Sequence, residues 1–199
     1  MEYHLFSGSA TILPTHNRRV RATVRRVLAE RGVHVHEGSR VVEVDCQDLR
    51  CADGNVYRLD EILWATDAIA PAWLAEAGLA VDERGFVLVH AALQSVSHPE
   101  VFAAGDVAAV VPYPRAKAGV IAVRQGKPLA RNLRRVLSGR APKSFVPQKK
   151  WLALISTGDQ YAIASRGCWS IAGQWVWRWK DWIDRRFMRQ YKVLPALWP

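Results

Sequence analysis

The chain has 199 residues, half of them hydrophobic, which excludes global disorder and allows one or two domains with a real core. Three cysteines, an odd number, argue against a disulfide framework and fit a reducing compartment, and no apolar run reaches the length of a membrane span. The formal net charge of +10 points to an anionic partner, but one basic cluster (Arg18, Arg19, Arg21, Arg25, Arg26, Arg31) sits on a predicted helix as a solvated face, and nucleic acid is not expected.

Tyr3 to Phe6 predicts a strand. Val20, Val24, Val27 and Leu28 recur at helical spacing, and Gly32 ends that helix. Val33 to His36 predicts a second strand, and Val41 to Val44 with Asp48 to Ala52 predicts hairpin arms, followed by an Asp53-Gly54 turn. Ile62 to Ala65 reads as a buried strand. Pro71 opens a short helix through Ala77, closed by Gly78, and Phe86 to Val89 is again a strand. Val101 to Ala103 is expected as a strand leading to Asp106, and a helix is expected from Arg115 toward Leu137 with Val120, Val123, Leu129, Leu133 and Val136 as its apolar positions.

Gly139 to Pro147 reads as a polar linker. Trp151 to Ser156 and Tyr161 to Ser165 predict a hairpin around Gly158-Asp159. The tail holds Trp169, Trp175, Trp177, Trp179, Trp182 and Trp198, interleaved with Arg178, Lys180, Arg185, Arg186, Arg189 and Lys192. Read as a helix, Trp175, Trp179, Trp182, Ile183, Phe187 and Tyr191 form one stripe.

Val-Phe-Ala-Ala-Gly-Asp-Val at 101–107 carries the most chemistry: an apolar run stops at Gly105 and delivers the Asp106 carboxylate to the edge of a sheet. An ionised carboxylate is a strong acceptor for two hydroxyls, and glycine permits close backbone approach. The local alternative is an aspartate that caps its own turn. No Gly-x-Gly-x-x-Gly phosphate loop occurs anywhere in the chain.

Leu63-Trp64-Ala65-Thr66, Pro71 to Leu74, Asp82 to Val87 and Ser95 to Asp106 together resemble the pyridine nucleotide-disulfide oxidoreductase superfamily. Ala118 to Gly126 and Asp184 to Tyr191 make the chain look closer to type II NADH dehydrogenases, and closest to the flavoprotein module fused to selenide, water dikinase. The resemblance extends over essentially the whole chain and implies the C-terminal portion of such a protein, with both glycine-rich loops in segments upstream.

The implied fold class is α/β: an incomplete FAD/NAD(P)-binding, Rossmann-like two-domain fold with a small α+β C-terminal domain. Residues 1–66 would be the second half of the NAD(P)-binding domain, 67–147 the C-terminal half of the FAD-binding domain, and 148–199 a hairpin with the Trp/Arg-rich helix. The resemblance implies FAD and NAD(P)H as cofactors, with Thr66, Gly105, Asp106, Lys117, Ala118 and Gly119 as cofactor-binding residues. Asp106 would hold the ribityl hydroxyls. The helix start at Ala118 and Gly119 would face the flavin ring, stabilising negative charge on it, with Lys117 adding a formal charge. The expected activity is hydride transfer from NAD(P)H to FAD and on to an acceptor. Without the loops the chain is not expected to be competent alone; a non-catalytic interaction or docking module is the alternative.

Several positions depart from the family pattern. Asp67 stands where glycine is usual, and its charge would repel a pyrophosphate. Ser7 replaces the acid that often marks NADH preference, and Val120 and Arg124 stand where quinone-reducing relatives carry glutamines. Cys46 and Cys51 have the spacing of a redox pair but fall on a predicted hairpin, so they read as a decoy, and Cys168 reads as a packing residue. His34 and His36 share a strand face without a completing ligand set. The expected partners are a missing N-terminal half or a second copy. The tail resembles a membrane-anchoring region, although Asp181 and Asp184 favour packing within the protein. The implied location is cytoplasmic, with peripheral contact at the inner membrane face as the variant.

Overall fold

A computed structural model describes residues 1–149 and 151–192. In chain order these form β1 (Tyr3–Ser7), α1 (Arg18–Glu30), β2 (Val33–Glu37), β3 (Val41–Val44), β4 (Asp48–Cys51), β5 (Val56–Arg58), α2 (Trp73–Glu76), β6 (Val87–Val89), a 3-10 turn (Gly105–Val107), β7 (Ala108–Val110), α3 (Gly119–Leu137), β8 (Ala153–Gly158), β9 (Tyr161–Arg166), β10 (Trp169–Gly173) and α4 (Gln174–Lys192). The chain divides into two compact units: Met1–Leu63 with the described residues from Trp151 onward, and Trp64–Lys149. Trp198 lies outside the described residues.

In the first unit, β1 and β2 pair in parallel through the α1 crossover, with His4 opposite His34 and Phe6 opposite His36. Asn17 caps α1 by accepting from the Val20 amide at 3.1 Å, and its own amide donates to the Gly167 carbonyl at 3.0 Å. Gly32 ends the helix at φ +69, a conformation that glycine adopts without a Cβ penalty. β3, β4 and β5 form an antiparallel meander, and β8, β9 and β10 form another. The second meander packs Ala162 and Ala164 against Val176 of α4, all three fully buried.

The core of the second unit joins Leu74, Val87, Val89, Leu93, Ala103 and Ala108 around the parallel pair β6 and β7. Burying a side chain such as Leu93 is worth roughly 1.5–3 kcal/mol. Leu93 is fully buried although its φ is +66, a backbone state costing an L-residue about 1–2 kcal/mol, so packing offsets local strain there.

Four expectations need correction. Ile62 to Ala65 is irregular rather than a buried strand, with Leu63 93% exposed; no described strand lies alongside to take its backbone hydrogen bonds. Val101 to Ala103 makes only an isolated bridge, Phe102 to Gln94, and the regular strand β7 follows Asp106 instead of leading to it. The turn to φ +75 at Gly105 ends the first run, and the apolar residues beyond it pair with β6.

Helix α3 starts at Gly119, after an extended Ala118, and not at Arg115. Its buried positions are Gln125 and Asn132, whereas Val123, Leu133 and Val136 are exposed. Both polar residues bond to the loops that α3 covers, which decides the buried face against the apolar pattern. Finally, the tryptophans of the α4 stripe do not pack within the protein. Trp175, Trp179 and Trp182 face solvent, while Val176 and Trp177 pack against the sheet, and β10 precedes them.

Candidate functional site

The site lies wholly within the unit Trp64–Lys149. The loop before β6 is built by Asp82, whose Oδ1 accepts from the amides of Arg84 (3.0 Å) and Phe86 (2.9 Å). Gly85 completes that turn at φ +82, where a Cβ would meet the Ala70 Cβ at 3.3 Å. The loop aims Phe86 inward, only 2% exposed. Across from it, the 3-10 turn Gly105–Val107 carries Asp106 just ahead of β7.

A cavity of about 440 Å³ opens between these loops and the start of α3. That volume lies within the range of small-molecule sites. Phe86, Leu88, Val110 and Ile121 give it an apolar floor, and Asp82, Arg84, Asp106, Arg115 and Lys117 supply charge. Gly105, Asp106, Lys117 and Ala118 therefore share one cavity. Gly119 begins α3 immediately beyond Ala118. Thr66 is exposed on an irregular segment and is not part of the cavity wall.

Lys117 is held by two contacts. Its Nζ donates to the Ala108 carbonyl at 2.7 Å and lies 3.9 Å from the centroid of the Phe86 ring. Burial pushes its pKa below the usual lysine value, and the carboxylates of Asp82 and Asp106 act in the opposite direction. The Arg84 guanidinium lies 5.4 Å from the same ring, donates to the Ala68 carbonyl and stands 3.5 Å from Asp67. The Asp67 carboxylate thus has a counter-cation at its side.

Sequence reasoning missed the site roles of Asp82, Arg84, Phe86, Arg115 and Gln125. Their one local signal was the Asp-x-x-Gly turn at 82–85, whose aspartate precedes two amides it can accept from. Gln125 was invisible to periodicity because it sits on the buried face of α3, 3% exposed, and accepts from the Gly105 amide at 2.6 Å. Arg115 donates to the Pro147 and Gln148 carbonyls, tying the wall to the segment after α3.

The cysteines are free. Cys46 is exposed and Cys51 is buried, and burial, then Asp53, pushes the Cys51 thiol above its ordinary pKa, the opposite of activation. No cluster of three or more metal-ligating side chains suited to a metal ion occurs among the described residues. No helix among them is long and apolar enough to cross a membrane.

Dihydrolipoyl dehydrogenase of Thermus scotoductus is 32% identical over an alignment of 128 residues that covers 53% of this chain and 27% of that protein. The sulfide:quinone oxidoreductase of Aquifex aeolicus superposes with a TM-score of 0.75 at 15% identity, covering 94% of this chain and 49% of the other. An FAD-dependent pyridine nucleotide-disulphide oxidoreductase of Desulfovibrio vulgaris gives 0.62 at 22% identity, covering 84% and 43%. The chain spans about a quarter to a half of the length of these proteins. The structural likenesses establish a mixed α/β fold related to FAD- and NAD(P)-binding oxidoreductases.

The sequence pattern of the pyridine nucleotide-disulphide oxidoreductase family is matched by residues 1–126. This overturns the expected likeness to a C-terminal portion alone, and with it the placement among type II NADH dehydrogenases and dikinase-fused modules. The tail Asp184 to Tyr191, which entered that resemblance, lies outside the match. The match takes in β1 through the first turns of α3, and by it the chain belongs to the pyridine nucleotide-disulphide oxidoreductase family.

Proposed function

We propose that the cavity of the 64–149 unit is a flavin site, and that the chain serves an FAD-dependent NAD(P)H oxidoreductase. The observation that carries this reading is the Asp106 carboxylate on the cavity wall, beside a glycine at φ +75. In this assignment Asp106 accepts hydrogen bonds from the ribityl hydroxyls, and Gly105 leaves room for their approach. Lys117 and the amides at the start of α3 face the ring system. Gln125 fixes the turn that aims Asp106. The bound FAD would supply the redox chemistry, taking hydride from NAD(P)H for an acceptor.

Residues 1–66 and 67–147 then correspond to halves of NAD(P)- and FAD-binding domains in an incomplete Rossmann-like fold, with 148–199 as a small α+β domain. Within these 199 residues no Gly-x-Gly-x-x-Gly loop cradles phosphate, so the chain by itself holds FAD weakly and is not competent alone. The phosphate cradle would have to come from outside these residues.

Fluorescence titration with FAD tests the assignment. Losing charge-assisted hydrogen bonds costs about 1.5–3 kcal/mol, so Asp106→Ala should weaken binding by roughly 10–100-fold. Equal affinity of Asp106→Ala and the native chain would refute it. Stoichiometric flavin retained through gel filtration would refute the weakness expected of the isolated chain.

A second reading concerns α4. Trp175, Trp179 and Trp182 are 52%, 37% and 57% exposed. Arg186 lies over Trp182, its Cζ 5.5 Å from the ring. Asp181 and Asp184 are neutralised within the helix by Arg185 and Lys180. Among the described residues Arg178 and Arg189 pair with no acid, so they flank an exposed aromatic stripe with charge that suits peripheral contact with an anionic membrane surface. Flotation with anionic vesicles, lost in high salt and in Trp179→Ala/Trp182→Ala, is the expected result; no flotation at low salt would eliminate this reading.

A further inference from the structure

The first unit carries a cluster of imidazoles that the flavin assignment does not use. His4 and Phe6 project from one face of β1, and His34 and His36 from the same face of β2, since the strands pair in parallel register. His4 Nδ1 lies 3.0 Å from His36 Nε2. The His4 ring stacks on His34 (centroids 5.1 Å) and His36 (5.3 Å), and Phe6 stacks on His36 at 4.5 Å. Tyr57 of β5 meets the edges of Phe6 and His36, with its hydroxyl 3.5 Å from His36 Nδ1. Glu2 completes the row, its Oε1 3.2 Å from His34 Nε2 and 3.8 Å from His4 Nε2.

We propose that His4, His36 and Tyr57 form a single directed hydrogen-bond chain, biased by the Glu2 carboxylate beside it, that latches the β1–β2 face at neutral pH and opens when a second proton enters it. A nitrogen–nitrogen hydrogen bond requires one ring to donate and the other to accept, so one of the two facing nitrogens must be bare. The flanking groups select the direction. The Glu2 carboxylate, 3.8 Å from His4 Nε2 and beyond hydrogen-bond reach, favours a proton on that nitrogen by its charge and leaves His4 Nδ1 bare. His36 Nε2–H then donates to His4 Nδ1, and the Tyr57 hydroxyl donates to His36 Nδ1. The opposite direction would set a bare His4 Nε2 lone pair toward the carboxylate.

A first added proton is shared: His4 Nδ1–H donates to His36 Nε2 once the His36 proton has moved to Nδ1, from which the Tyr57 hydroxyl turns to accept. A second places N–H against N–H across the 3.0 Å gap and sets two cations in contact. Burial, followed by the charges of His4 and His34, holds the His36 pKa below its ordinary value of 6.5. Glu2 is the anion facing the cluster. Glu37, the acid on β2, is engaged by Arg25 of α1 and the Ile12 amide. Arg58 beside Tyr57 donates to Gln47. A histidine with a lowered folded pKa contributes stability above its unfolded pKa of about 6.5 that is lost as pH falls through the folded value. The latch is therefore closed at neutral pH and released by acid.

The test is a pH titration of the full chain by NMR, following histidine ring nitrogen and Cε1–H shifts. In the native chain the nitrogen shifts should report His4 and His36 both protonated on Nε2 at neutral pH, and the pair should titrate in two steps separated by about one pH unit or more. His36→Phe keeps the ring stack and should return His4 to a single step; Glu2→Gln should weaken the tautomer bias while leaving the fold intact. The Tyr57 ring resonances should move with the upper step in the native chain and not in His36→Phe. Independent single steps for His4 and His36 in the native chain, or a His4 titration that His36→Phe leaves unchanged, would overturn the proposal.

Discussion

Gln125 Oε1 accepts a 2.6 Å hydrogen bond from the amide of Gly105, so a side chain from the middle of one helix fixes the backbone of the turn that carries Asp106. Replacing it by leucine fills the same space and leaves that part-buried amide without its partner. Such a loss costs about 1–3 kcal/mol. Urea denaturation should show a Gln125→Leu midpoint lowered accordingly, and Gln125→Glu, which keeps an acceptor oxygen, should lose less. Equal stability of native and Gln125→Leu chains would show that the bond holds nothing in place.

Asn132, 1% exposed, makes three bonds at once: to the Ala92 carbonyl, the Lys143 carbonyl and the Lys143 amide. It ties the segment after α3 back to the loop before Leu93. Asn132→Leu should destabilise by about 2–4 kcal/mol, since buried partners stay behind unpaired. Asn132→Asp keeps the bond from the Lys143 amide but donates nothing, and its thermal midpoint should also fall below that of the native chain.

Leu93 sets packing against backbone conformation at one residue. Leu93→Ala should cost about 2–5 kcal/mol through the lost side chain. Leu93→Gly removes one more carbon yet relieves φ +66, so it should be no less stable than Leu93→Ala. Calorimetry that ranks glycine well below alanine would show that the left-handed backbone is not strained.

Glu37 predicts an acid limb in the stability of the first unit. The Ile12 amide, then Arg25, hold its carboxyl below the ordinary value of 4.5. A depressed carboxyl contributes stability that is full above the unfolded pKa and lost as pH falls through the folded value. Chemical denaturation between about pH 5.5 and 3.5, a window of one unit either side of that ordinary value, should therefore show a steeper decline for the native chain than for Glu37→Gln.

Much of the first unit was legible in the sequence because its signals are local. The α1 pattern, the Gly32 stop and the Asp53-Gly54 turn each act within a few residues, and the structure follows them. The hairpin of β8 and β9 turns at Gly158 for the same reason, with Asp159 and Gln160 also at positive φ. What was not legible depends on distant neighbours. Ile62 to Ala65 has an apolar pattern but no described strand beside it. The buried face of α3 follows Gln125 and Asn132, whose partners lie 20 and 40 residues away. Asp106 was singled out as a cofactor contact from its local Gly-Asp turn, and it lines the cavity, but the cavity's cations and Phe86 are gathered by tertiary folding, which no spacing in the sequence announces.

The first unit is discontinuous along the chain, and this has a consequence for its synthesis. Asn17 and His16 at the head of α1 reach Gly167 and Ser165, and Arg31 at its foot reaches Asp159. A nascent chain emerging from the ribosome must hold β1, α1 and β2 without these contacts while all of Trp64–Lys149 is translated. The intervening unit is continuous and can fold first. Ribosome stalling with residue 149 just outside the exit tunnel should thus yield a protease-resistant middle with a labile leading segment, and protection of that segment should arrive only once β9 is outside the tunnel.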